Sequence, residues 1–70
     1  MNDIKTLAEA LPKEQQRVRE LIPIYESTGP AGAFATEMMK LSLSRAEIAA
    51  ASGDVVAMIQ ALEDLRSYRE

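Results

Sequence analysis

The sequence predicts an all-α protein: a short N-terminal helix, a proline-kinked second helix and a C-terminal antiparallel helical hairpin, assembling as a helical homo-oligomer. Three observations carry this reading. Apolar residues recur at the three- and four-residue spacing of a helix along almost the whole chain. The strongest interruptions are two short turn sequences, Gly29-Pro30 and Ser52-Gly53-Asp54. The 70 residues contain no Cys and no His, so neither disulfides nor the commonest metal ligand can staple so small a core. Helix packing and self-association remain as the sources of stability.

One domain spans residues 1–70, with four expected helices. The first covers residues 3–11, where Asn2 or Asp3 can cap it and Ile4, Leu7, Ala8 and Leu11 form its apolar stripe. Such a short helix is unstable alone in water and has to dock. The second covers residues 12–27. Pro12 suits a first helical turn, and Glu14 sits near the positive end of the helix dipole. Its stripe is Val18, Leu21, Ile22 and Tyr25. Pro23 removes the hydrogen bond to the Arg19 carbonyl, and because Tyr25 continues the stripe, a kink is expected there.

The third helix covers residues 30–52, opened by Pro30. Its main stripe is Phe34, Met38, Leu41, Arg45, Ile48 and Ser52, and a flanking stripe, mostly of small residues, runs through Ala31, Ala35, Met39 or Ser42, Ala46 and Ala49. Small side chains allow helix axes to approach closely. Gly53 suits a left-handed C-terminal cap and Asp54 an N-cap for the fourth helix, residues 54–68. That helix carries a wide band: Val55, Ile59, Leu62, Leu65 or Arg66, and Tyr68, widened by Val56 and Met58. The band is wider than one neighbour covers, so another element or another chain is expected on it. Met38, Met39 and Met58 are expected to fill gaps in the core or, alternatively, to face an adaptable binding groove.

Composition narrows the function classes. Without His or Cys, catalysis would need paired carboxylates, Lys or Ser, and neither Ser-x-x-Lys nor Gly-x-Ser-x-Gly occurs. The acids show no metal-ligand spacing. No catalytic residue, metal or cofactor is therefore expected, and the chain reads as a non-catalytic binding protein. A net charge of −3 argues against duplex nucleic acid as a partner. No apolar run approaches the roughly 20 residues of a membrane span. The opening residues carry acids where a signal peptide carries a basic end, so a cytoplasmic protein is expected.

The segment Ser27-Thr28-Gly29-Pro30-Ala31-Gly32 is the candidate ligand site. It places hydroxyls and small residues at a helix start, where free N–H groups and the dipole favour anions. Lys13, Arg17 and Arg45 are candidate phosphate partners, and Tyr25 is a candidate stacking ring. A purely structural reading stands beside this one: Gly29 ends one helix, Pro30 starts the next, and Thr28 caps. Arg45 is conspicuous because it interrupts an apolar stripe, where a charge needs a partner.

From Leu11 to about Tyr68 the chain resembles a family of small all-helical phage- and prophage-encoded accessory proteins. The pattern is Leu11-Pro12-Lys13-Glu14-Gln15-Gln16-Arg17-Val18-Arg19-Glu20-Leu21, Tyr25, Gly29-Pro30-Ala31-Gly32-Ala33-Phe34, Met38 and Ser52-Gly53-Asp54-Val55-Val56-Ala57-Met58. Pro23 departs from it. The resemblance implies a viral accessory role in the host cytoplasm and brings no ligand or site residues with it. Such proteins include homo-oligomeric sponges that sequester cyclic nucleotide or ADP-ribose-type immune signals without cleaving them. Sequestration of an anionic nucleotide signal at helix N-termini is thus the first functional expectation. The second is a protein-binding adaptor that docks an apolar helix face on a host or viral protein.

Overall fold

A computed structural model describes residues 3–69, and side chains from Thr6 onward. Among the described residues there are three helices and no strand: α1 (Asp3–Glu26), α2 (Pro30–Ser52) and α3 (Val55–Arg66). Each helix packs against both others, around a core of Leu7, Leu11, Val18, Leu21, Met39, Leu43, Ala46, Ala61, Leu62 and Leu65. Among the described residues no helix is long and apolar enough to cross a membrane.

The first two expected helices, 3–11 and 12–27, are one. α1 passes through both Pro12 and Pro23. A proline inside a helix frees the carbonyl four residues back. Here those carbonyls belong to Ala8 and Arg19, both on exposed residues, where water can serve them. The buried positions Leu7, Leu11, Gln15, Val18 and Leu21 stay in helical register across Pro12, so the core holds both halves on one axis. The expected cap at Asn2 or Asp3 and the place of Ile4 in the stripe lie outside the described residues and side chains.

The two turns follow their local chemistry. α1 ends with hydroxyls turned back on its last carbonyls: Ser27 Oγ donates to Ile24 O at 2.7 Å and Thr28 Oγ1 to Tyr25 O at 2.7 Å. After α2, Gly53 adopts φ 68°, and its N–H bonds back to the carbonyls of Ala49 and Ala50. Asp54 Oδ1 then accepts from the Ala57 N–H at 3.1 Å and caps α3. The far end of α3 is tied down twice. Tyr68 OH pairs with Ser42 Oγ at 2.9 Å, and Arg17 donates to the carbonyls of Leu65 and Tyr68.

α2 turns its two stripes in different directions. The face it buries is the small-residue one: Gly32, Thr36, Met39, Ser42, Leu43, Ala46 and Ala49. Met39 and Ala46 are wholly buried. The bulky stripe points outward, with Phe34 72%, Met38 45%, Leu41 47% and Ile48 66% exposed. The reason is geometric. A helix that touches two neighbours along its length must let both axes come close, and only Gly, Ala and Ser at the contact permit that. Met38 accordingly fills no core gap. The wide band on α3 is mostly consumed within the chain: Leu62 is buried and Val55 and Met58 are half-buried, leaving Val56 and Ile59 exposed.

Candidate interaction surface

The turn between α1 and α2 uses its functional groups on itself. The Ser27 and Thr28 hydroxyl protons are directed at α1 carbonyls. Gly32 is buried, and a Cβ placed on it would collide with the Tyr25 carbonyl oxygen and the Thr28 hydroxyl. Its smallness therefore serves the close crossing of α1 and α2 and does not open room for a ligand. Gly29 has φ 92° and no side-chain cap bond; nothing lies within 4 Å of a Cβ placed there, so the backbone angle alone calls for glycine. Ala31 is exposed, and Tyr25 is half-buried against the core.

The three basic candidates do not gather at this turn within one chain. Lys13 is exposed on α1, thirteen residues before its end at Glu26, which is about 20 Å along the axis. Arg45 lies fifteen residues into α2, about 22 Å from Pro30. Arg17 is fully engaged. Its Nε pairs with Glu14 at 2.9 Å, and its two terminal nitrogens reach Tyr68 O at 2.8 Å and Leu65 O at 2.9 Å. The guanidinium therefore closes the C-terminus of α3, where carbonyls lack helical donors and the dipole is negative. Among the described residues, no group of three or more His, Cys, Asp or Glu side chains could hold a metal ion.

What one chain does assemble is the outward face of α2. Phe34, Met38, Leu41, Arg45 and Ile48 lie in one band centred about 135° round the helix from the buried face. α2 thus has two apolar faces, and only one is covered. The remaining arc is polar, with Glu37, Lys40, Ser44 and Glu47 exposed. Arg45 has no hydrogen-bond or ion-pair partner among the described residues. It borders a groove of about 330 Å³ between α2 and α3 that Asp64 also lines, beyond ion-pair distance. Among the described residues Glu37 has only Lys40, at 4.0 Å with both side chains exposed. A second groove, about 310 Å³, lies between α1 and α3 and is lined by Leu7, Ala10, Val55, Ile59 and Leu62 among others.

The sequence shows every residue of this band as the main stripe of the helix, without disclosing which way it faces. Arg45 was the available signal that the band faces outward: a charge without a partner on a long stripe argues against burial. No family model, curated protein or solved structure matches the chain.

Proposed function

We propose that this protein is a non-catalytic interaction module whose docking surface is the outward face of α2, shaped to take an apolar helix. The observation that carries this is the continuous exposure of Phe34, Met38, Leu41 and Ile48 along one side of a 23-residue helix. Scattered exposed apolar residues are ordinary on any protein, whereas a contiguous stripe marks a contact surface. Its helical period suits a second helix laid along it, with side chains meeting at every turn. Val56 and Ile59 on α3 add a smaller apolar area.

The other functional expectation, capture of an anionic nucleotide signal at the α1–α2 turn, draws less support. Its hydroxyls and Gly32 have structural employment, as has Arg17, and Lys13 and Arg45 lie about 20 Å and about 22 Å along their helices from the turn.

Photo-crosslinking tests the docking reading. A crosslinkable residue is placed singly at Phe34 or Ile48, and as controls at Lys40 or Glu47 on the polar arc. In producing cells, the first pair should give discrete protein adducts and the second pair should not. Equal yields from the two arcs, or none from either, would remove the support for an α2 docking surface.

A further inference from the structure

We propose that the occupant of the outward α2 face is α2 of a second copy, running antiparallel, with Arg45 of each copy lying over the partner's Leu41 and reaching the partner's Glu37. This rests on the docking reading above and names its partner.

The spacing comes first. Phe34, Met38, Leu41, Arg45, Ile48 and Ser52 follow one another at four, three, four, three and four residues, the alternation of a coiled-coil seam. The seam is about 27 Å long and runs along one helix, so its natural complement is another helix bearing the same period. α2 itself carries that period.

The charges then choose the direction. In a parallel pair each seam layer opposes identical residues, so Arg45 meets Arg45, while the two Glu37 side chains lie on opposite edges, out of reach of either Arg45. That layer opposes like charges at close range and leaves Glu37 unused. In an antiparallel pair with its twofold axis level with Leu43, Phe34 falls opposite Ser52, Met38 opposite Ile48, and Leu41 opposite Arg45. Every apolar residue of the stripe is then covered, and the largest side chain meets the smallest. Glu37 precedes Leu41 by one turn on the same helix, so an Arg45 stem resting on the partner's Leu41 brings its guanidinium to the partner's Glu37. Arginine suits this place because its stem packs on apolar surface while its head reaches a carboxylate at the rim.

The unpaired charges agree. Among the described residues Arg45 has no partner and Glu37 only a distant, exposed lysine. The antiparallel pair joins the two, twice, by symmetry. The edges of the seam, Ala35, Ser44 and Ala51, are small, which permits close axes. The area available is modest. A two-helix contact of this length sits at the small end of specific interfaces, below roughly 1,200 Å² in total, so the dimer should dissociate at micromolar concentration.

Light scattering and sedimentation of the full chain from about 1 µM to about 1 mM give the direct test. The mass should rise from one to two copies of 7.7 kDa across that range. Arg45→Glu and Glu37→Arg should each weaken association roughly tenfold or more, and the double swap should restore it to within about threefold. Leu41→Glu should leave a helical monomer, verified by its circular dichroism. A spin label at Ala33→Cys, unique in a chain without cysteine, should report about 30 Å between labels in the antiparallel pair, against less than half that in a parallel one. Three results would each overturn the proposal: a dimer indifferent to the seam substitutions, a double swap no better than its single changes, or a short label distance. A monomer throughout, while Phe34 and Ile48 still crosslink a different protein, would overturn self-pairing and leave the docking reading standing.

Discussion

Replacing Gly32 with alanine should destabilise the fold, although alanine is the better helix former. Gly32 lies in the first turn of α2 and is buried against the end of α1. On helix propensity alone the substitution should stabilise by about 1 kcal/mol. The added Cβ, however, would collide with the Tyr25 carbonyl oxygen and the Thr28 hydroxyl. A backbone carbonyl cannot swing aside, so the α1–α2 crossing would have to open. Overpacking of this kind costs about 1–3 kcal/mol. Losing the 2.7 Å bond from Thr28 Oγ1 to Tyr25 O adds about 1 kcal/mol. The net effect is destabilisation of about 1–3 kcal/mol. At about 4–8 °C per kcal/mol for a chain this size, a loss of 2 kcal/mol lowers Tm by about 8–16 °C. Thermal unfolding followed by circular dichroism at one fixed protein concentration measures it. An unchanged or raised Tm would refute the close crossing and return Gly32 to the role of leaving space for a ligand.

Three further outcomes follow from single contacts. Thr36 is 3% exposed and its hydroxyl has no partner, so Thr36→Val should stabilise by about 1 kcal/mol in denaturant melts. Arg17→Met removes two bonds to the α3 end while keeping the apolar stem; with the side chain 37% exposed, a loss of about 1–2 kcal/mol is expected, together with faster amide exchange at Tyr68. Asp54→Ala removes the cap on α3 and should cost about 1 kcal/mol, read from the same melts, with Asp54→Asn recovering most of it.

What the sequence discloses and what it hides divide along a physical line. Turns are local, and Gly29-Pro30 and Ser52-Gly53-Asp54 show themselves through residue chemistry alone. The heptad-like stripe of α2 is local too. Which of its two stripes faces the core is not, because small residues bury little area each yet decide how near two axes can come. Pro12 misleads for a similar reason. Its local signal is a helix start, but Leu7, Leu11 and Val18 keep one register across it, and tertiary packing outweighs the missing hydrogen bond. Arg17 reads locally as a solvated partner of Glu14. Its main contacts are carbonyls 48 and 51 residues away, which no spacing rule finds. The candidate ligand turn was readable as a turn, and its internal hydroxyl bonds explain its composition without a ligand.

In the proposed dimer the outward stripe of α2 is covered by a second copy of the chain. Thiol labelling tests it most directly, since the chain has no cysteine of its own. Met38→Cys places a thiol on the seam, and Lys40→Cys places one on the polar arc of the same helix. Under reducing conditions, labelling at position 38 should slow roughly tenfold or more as protein concentration rises through the association range, while position 40 keeps a constant rate. Rates at position 38 that stay independent of concentration and match those at position 40 would contradict the claim.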